Sequence, residues 1–279
     1  MQTLKKTILF CICFILVYKF CLQATDGFSV RKISSSPSTA QEKQQTIPNG
    51  PYHYLGKGAQ VYAFVSEDGK HVLKFYRQNR AGHPLFFLKT LLPSKLGNRL
   101  LATVEKRRAK RLKDFTSFTL AERFLKQETG LETLHLEATR SPLWIVLYDK
   151  IGIKHTLDLS QMQWLLQEYA EPTYTSLKSW IQQGREEEAK AQLSKLVALL
   201  KSRCEKKIFD KDPDLETNFG FTKDGPIQFD VGRFRVDPTR SSPDVYRSDI
   251  IRITDKLCSW LDKRAPSLST HVREEIEKL

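Results

Sequence analysis

Cysteine is scarce where the chain would fold. Of five cysteines, Cys11, Cys13 and Cys21 lie in an N-terminal apolar stretch, which leaves Cys204 and Cys258 beyond it. That pair has no CxxC spacing and no histidine cluster beside it, which argues against a structural zinc site or a disulfide framework. A single bridge between the two stays open. Acid is also in the minority: 45 Lys and Arg against 32 Asp and Glu give a net charge of +13 and a pI near 9.5. The excess favours anionic partners (nucleotide, phospholipid, nucleic acid or acidic protein) or is a basic solvated surface. The rest is ordinary, with 40% hydrophobic and 28% charged residues over 279 positions. That is room for one two-lobed domain, or two small ones, around a buried core.

The one marked apolar run is at the start. Lys5 and Lys6 precede Ile8 to Tyr18, and the run reaches Leu22 if Lys19 is passed over, as a lysine near a helix end can snorkel. A basic segment before a short apolar run fits a signal peptide or a membrane anchor across residues 1–24, though it is short of the roughly 20 residues a spanning helix needs. No small-x-small site precedes Ala24 and no lipobox precedes Cys21. Anchor, cleaved signal and buried helix all remain open. Residues 25–49 are rich in Ser, Gln, Thr and Lys and read as a flexible linker.

Folded sequence is expected from Tyr52. Gly56 and Gly58, two apart, allow a tight turn and close approach to a phosphate. An alternating run from Val61 follows, then Asp68-Gly69, a hairpin signal, then His71 to Tyr76. Alternation predicts Val72, Lys74 and Tyr76 on one face. A lysine inside an apolar strand is costly unless its ammonium meets an anion. Further on, Ser94 to Lys113 holds eight basic residues against Glu105 alone, a net charge of +7, just after the apolar segment His83 to Leu88. Such a stretch could lie on an anionic bilayer or be a solvated helix face. No aromatics alternate with its charges, which disfavours a stacking platform for nucleic acid. Phe118 to Leu125 continues as an amphipathic helix, with Gly130 as its stop.

Strands are expected at Leu134–Leu136, Leu143–Tyr148 and within Met162–Pro172. Thr175 or Ser176 is expected to cap a short helix. A longer helix, 185 to 203, carries Glu186, Glu187 and Glu188 in its first turn, Lys201 and Arg203 in its last, and the apolar stripe Leu193, Leu196, Val197 and Leu200. An acidic loop from Asp210 to Asn218 follows, then Asp230-Val231-Gly232 twelve residues after the asparagine. Asn218 and Asp230 supply oxygen donors of the kind magnesium takes.

Taken in order, Gly56-x-Gly58, Val72-x-Lys74, Glu168-Tyr169-Ala170, Asn218 and Asp230-x-Gly232 resemble the protein-kinase-like superfamily, with compact bacterial-type enzymes the more similar branch. The resemblance implies a bilobal α+β fold. An antiparallel β-sheet N-lobe with a basic helical insertion would span 50–171, and a reduced, mostly helical C-lobe 172–279, after the N-terminal hydrophobic helix. It implies ATP and Mg2+ as cofactors and transfer to a hydroxyl of a protein, sugar or lipid-linked substrate. Gly56, Gly58, Val61 and Val72 would cover the nucleotide and Lys74 would grip its phosphates. Glu122, with Glu105 as competitor, would pair with Lys74. Gln167 would be the gatekeeper, and the main chain of Glu168 and Ala170 would bond the adenine. Asn218 and Asp230 would hold the metal. The family's base stands five residues before the Asn, where this chain has Pro213, so Asp212 is taken, with Asp210 as runner-up. The third glycine of the loop and an Ala-Pro-Glu segment are missing. A pseudokinase acting as a membrane-tethered binding module therefore stays open, as does an anionic lipid or nucleic-acid binder through 94–113. Lys5 and Lys6 point the domain to the non-cytoplasmic side, while ATP is scarce outside a bacterial cytoplasm, so the side stays open.

Overall fold

The computed structural model describes residues 2–35, 40–41, 46–48, 50–78 and 94–279. The apolar segment His83 to Leu88 lies outside them. The fold is α+β, and the chain divides into two compact units, 1–84 with 135–166, and 85–134 with 167–279. The first helix, α1 (Gln2–Ala24), contains one stretch, Lys6–Ala24, long and apolar enough to cross a membrane.

The strands of the first unit follow from its turns. Strands β1 (Pro51–Lys57), β2 (Val61–Ser66) and β3 (His71–Tyr76) form an antiparallel meander. Gly69 turns the second hairpin with φ +70°, and Asp68 Oδ1 accepts from Ser66 Oγ at 2.6 Å and Lys70 N at 3.1 Å. A residue at positive φ beside an Asx-type bond is what an Asp-Gly turn provides. On β3, Leu73 and Phe75 point into a core built with Tyr62, Phe64 and Trp164. Val72, Lys74 and Tyr76 take the other face, opposite Val65, Ala63 and Val61.

The long helix α2 (Ser94–Phe124) and the single turn α3 (Lys126–Thr129) come next. Gly130 ends them in the left-handed region, φ +59°, as the sequence predicts. Strands β4 (Leu131–His135), β5 (Trp144–Tyr148), β6 (Lys154–Asp158) and β7 (Trp164–Glu168) complete a seven-stranded sheet in the order β4-β7-β3-β2-β1-β5-β6. It is mixed rather than wholly antiparallel, because β5 runs parallel to β1. A parallel neighbour needs a long crossover, and the chain between β1 and β5 is long enough to supply one.

Residues 25–35 are not a free linker. Phe28 and Ile33 join the core of the first unit, Tyr62 Oη donates to Gly27 O at 2.9 Å, and Gln78 N donates to Lys32 O at 2.6 Å. Two apolar side chains in a polar stretch were enough to dock it.

The second unit is mostly helical. Short strand β8 (Glu171–Pro172) leads into α4 (Thr173–Gln182) and α5 (Glu186–Glu205). Helix α4 is capped three residues earlier than Thr175, the first of the two expected caps; its N-cap is Pro172, without a side-chain cap, and Ser176 Oγ instead donates to Glu171 O at 3.4 Å. On α5, Lys190 bridges Glu186 at 3.2 Å and Glu187 at 2.9 Å. Its stripe Leu193, Leu196, Val197 and Leu200 is buried with Ile250, Ile253, Leu257 and Leu261 of the later helix Pro243–Leu261. Each such side chain contributes about 1.5–3 kcal/mol of burial. Cys204 and Cys258 are both buried and both free, so no bridge joins them.

Candidate functional site

The glycine turn of the first unit joins β1 to β2, where Gly58 N donates to Val61 O at 2.9 Å. Neither Gly56 nor Gly58 has a positive φ, and a Cβ on Gly56 would meet nothing within 4 Å. The fold itself therefore does not demand glycine at either place. Arg77, which sequence reasoning passed over, braces this turn: Nη1 donates to Gly58 O at 3.0 Å, its N–H to Gln60 O at 2.8 Å, and its guanidinium lies 5.2 Å from the Tyr62 ring. On the sheet face beyond, Val61, Val72 and partly buried Lys74 lie together.

Strand β7 ends in the second unit. Gln167 is fully buried, and its amide donates to Thr129 O at 2.6 Å. Glu168 N donates to Gly130 O at 2.8 Å. Its main-chain N–H is thus committed within the fold. Ala170 is buried, and Glu171-Pro172 pairs with Gly220-Phe221. A Cβ on Gly220 would sit 2.5 Å from Glu171 O, so only glycine lets the two strands approach this closely.

The acidic loop is built on α5. Arg203 is completely buried there; Nη1 donates to Gln228 Oε1 at 2.6 Å and stands 3.9 Å from Asp210 Oδ2. Asp210 closes the triad by accepting from Gln228 Nε2 and, on Oδ1, from Asp212 N at 2.9 Å. Burial pushes the Asp210 carboxyl up and lowers the Arg203 guanidinium, each partly offset by the other's charge. Asp210, the runner-up base, is thus walled into a structural network. Asp212 is the accessible carboxylate, with Arg233 Nη1 at 3.4 Å. Read from sequence, Arg203 looked like a last-turn cation. Its position three residues past Leu200 on the buried stripe was the signal that it faces inward.

Asn218 and Asp230 come together. Strands β9 (Ile208–Asp210), β10 (Phe219–Phe221), β11 (Pro226–Gln228) and β12 (Phe234–Val236) carry them; β10 pairs with β11, and β9 with β12. Where the first pair opens, Phe229 N and Asp230 N both donate to Asn218 O, at 2.9 and 3.3 Å. The Asn218 amide donates to Asp212 O at 2.6 Å, while its Oδ1 accepts from Thr217 Oγ1 at 3.1 Å. Asp230 Oδ1 accepts from Gly232 N at 3.0 Å. An amide oxygen and a carboxylate are hard-oxygen donors of the kind Mg2+ takes, and here they lie on adjoining segments. Among the described residues no group of three or more His, Cys, Asp or Glu gathers as a metal cluster.

Helix α2 meets this loop. Ser117 is buried; its hydroxyl donates to Val231 O and accepts from Phe234 N at 2.6 Å, so it holds the turn that directly follows Asp230. One turn earlier, burial raises the Asp114 carboxyl; Lys110 and Arg233 oppose the rise and Asp230 adds to it. Glu122 is partly buried on the border of the stripe Phe118, Ala121 and Leu125, and Glu105 is exposed. Ser117 and Asp114 carried no motif signal, because the contact joins segments more than a hundred residues apart.

No family model matches the sequence, and no curated protein matches it. Two solved structures of WbdD, named a bifunctional kinase-methyltransferase, align over 79% of this chain at 13% identity and a TM-score of 0.34. They are covered over 43% and 44% of their own length, so this chain spans less than half of either. Likeness at that level assigns no activity to this chain.

Proposed function

We propose that this protein is a membrane-tethered or exported phosphotransferase that moves the terminal phosphoryl group of ATP to a hydroxyl. The observation that carries the reading is the Asn218–Asp230 junction. Two main-chain hydrogen bonds lock the two segments together, and the Asn218 amide is turned so that its nitrogen faces the Asp212 carbonyl. Bound there, Mg2+ would supply charge neutralisation of the phosphate oxygens. Lys74 holds phosphate from the strand face it shares with Val61 and Val72, which cover the base. The absence of a side chain at Gly56 and Gly58 lets the backbone of this turn come close to a phosphate. Asp212, the exposed carboxylate of the acidic loop, orients the acceptor hydroxyl and takes its proton as the new O–P bond forms, the bond from the terminal phosphorus to the bridging oxygen breaks and ADP leaves.

A second reading, a nucleotide-binding module without turnover, is favoured by one contact. The Asp212 carboxylate is paired with Arg233 at 3.4 Å, which would weaken it as a base.

The test is nucleotide binding and turnover by the full chain in detergent, with and without Mg2+. Wild type should bind Mg-ATP. Lys74→Ala should bind about tenfold more weakly or worse, as expected for a lost charge-assisted contact, and Asp230→Asn should lose the dependence on Mg2+. A wild type indistinguishable from Lys74→Ala would sink the proposal. Binding without phosphoryl transfer to any hydroxyl acceptor would select the second reading.

A further inference from the structure

Helix α2 presents a row of cations that the site above does not use. Arg99, Lys106, Lys110 and Lys113 are all exposed. Their spacings of seven, four and three residues keep them on one helix face. Four residues further on, the same face carries Ser117, whose hydroxyl bonds Val231 and Phe234 at the two ends of the turn that directly follows Asp230. At 1.5 Å per residue, the row begins about 6 Å from that contact and extends to about 27 Å from it. From Ser94 to Lys113 the helix has one acid, Glu105, and its position lies off this face. Every residue from 98 to 113 whose side chain is described is exposed, so the row stands clear of the unit's core. The next acid, Asp114, sits where the row meets the loop, with Lys110 and Arg233 acting on it.

We infer that this face is an acceptor track: it binds a linear polyanion, with phosphate or carboxylate groups along its length, and feeds one end of it towards Asp230. The inference rests on the phosphoryl-transfer reading for the chemistry at the Asp230 end, while the anion binding stands on the helix alone. The reason is register. A basic helix placed at random could serve a membrane or nothing at all, but this one is pinned by its own face to the loop that carries the candidate metal ligand. Charges spaced by about 4.5 to 10.5 Å along about 21 Å match an extended chain better than a single anion.

The experiment uses the full chain in detergent and two labelled probes, inorganic polyphosphate and polygalacturonate, read by fluorescence anisotropy across a salt series. The triple variant Lys106→Glu, Lys110→Glu and Lys113→Glu should bind the preferred probe at least tenfold more weakly, and its log–log salt slope should fall by about two to three. A control with the same charge change at exposed Lys178, Lys223 and Lys263 should stay within about twofold of wild type in affinity, even though the overall charge change is the same. Whichever probe binds more tightly identifies the anionic group. Equal losses in the two triple variants overturn the track, as does binding confined to phosphatidylglycerol vesicles. ATP affinity is measured alongside: polyanion binding without ATP binding would keep the track and remove the phosphotransferase, and the reverse would remove the track alone.

Discussion

Glu128 illustrates how a charged side chain is held inside the second unit. It is buried beside α5, and one carboxylate oxygen accepts from Ser202 Oγ at 2.6 Å and from Lys206 Nζ. Burial pushes its carboxyl up, but the hydrogen bonds from Lys206 and Ser202 outweigh it and leave it below the ordinary value of 4.5. A carboxyl lowered in the folded state adds stability above its ordinary value, and that stability is lost as pH falls below it. Glu128→Gln should therefore cost about 1–2 kcal/mol at neutral pH. In thermal melts, its gap from wild type should close as pH drops towards roughly 3. A gap that persists in acid would mean the carboxylate charge is not what holds these segments. Glu128 was not legible as buried from sequence, and Arg203 only through its place on the α5 stripe. A charged residue hides in a helical pattern until its partners are known, here on and just past α5 for Glu128 and on β9 and β11 for Arg203.

The turns and helices of this chain were more legible than their neighbours. Gly130 marked a helix end from sequence, and its φ of +59° bears that out. Only packing shows its second role: a Cβ there would sit 2.8 Å from Ile227 Cδ1 and 3.2 Å from the Glu168 Cβ. Gly130→Ala should thus combine backbone strain with a clash and destabilise by about 1–3 kcal/mol. A lower urea midpoint at unchanged slope would report this; a midpoint equal to wild type would count against the wedge. The hairpin at Asp68-Gly69 and the stripe of α5 were readable because each depends on neighbours within a turn or two. The parallel pairing of β5 with β1 was not, since a strand's sequence does not name its partner or direction.

At the scale of the whole molecule, the N-terminal segment changes the picture of where the fold begins. A polar stretch read as a linker holds Phe28 and Ile33 in the core of the first unit, with Ile33 fully buried. A protein that starts at residue 36 should melt well below one that starts at residue 25, because a lost buried isoleucine alone costs about 2–5 kcal/mol. Equal melting temperatures would show that this segment docks without stabilising.

The order of the motifs, the apolar N-terminal run, the excess of basic residues and the periodicity of the main helices are properties of the chain itself. They follow from local chemistry: hydrophobic spacing, turn residues and charge count are settled within a few positions. Tertiary structure alone decided that Asp210 is walled in while Asp212 is exposed, that Asn218 and Asp230 share a main-chain junction, and that Ser117 ties a basic helix face to it. Those outcomes depend on which distant segments exclude water from a polar group and which leave it wet. That balance of desolvation and pairing is fixed by contacts across the fold, not by neighbours along the chain.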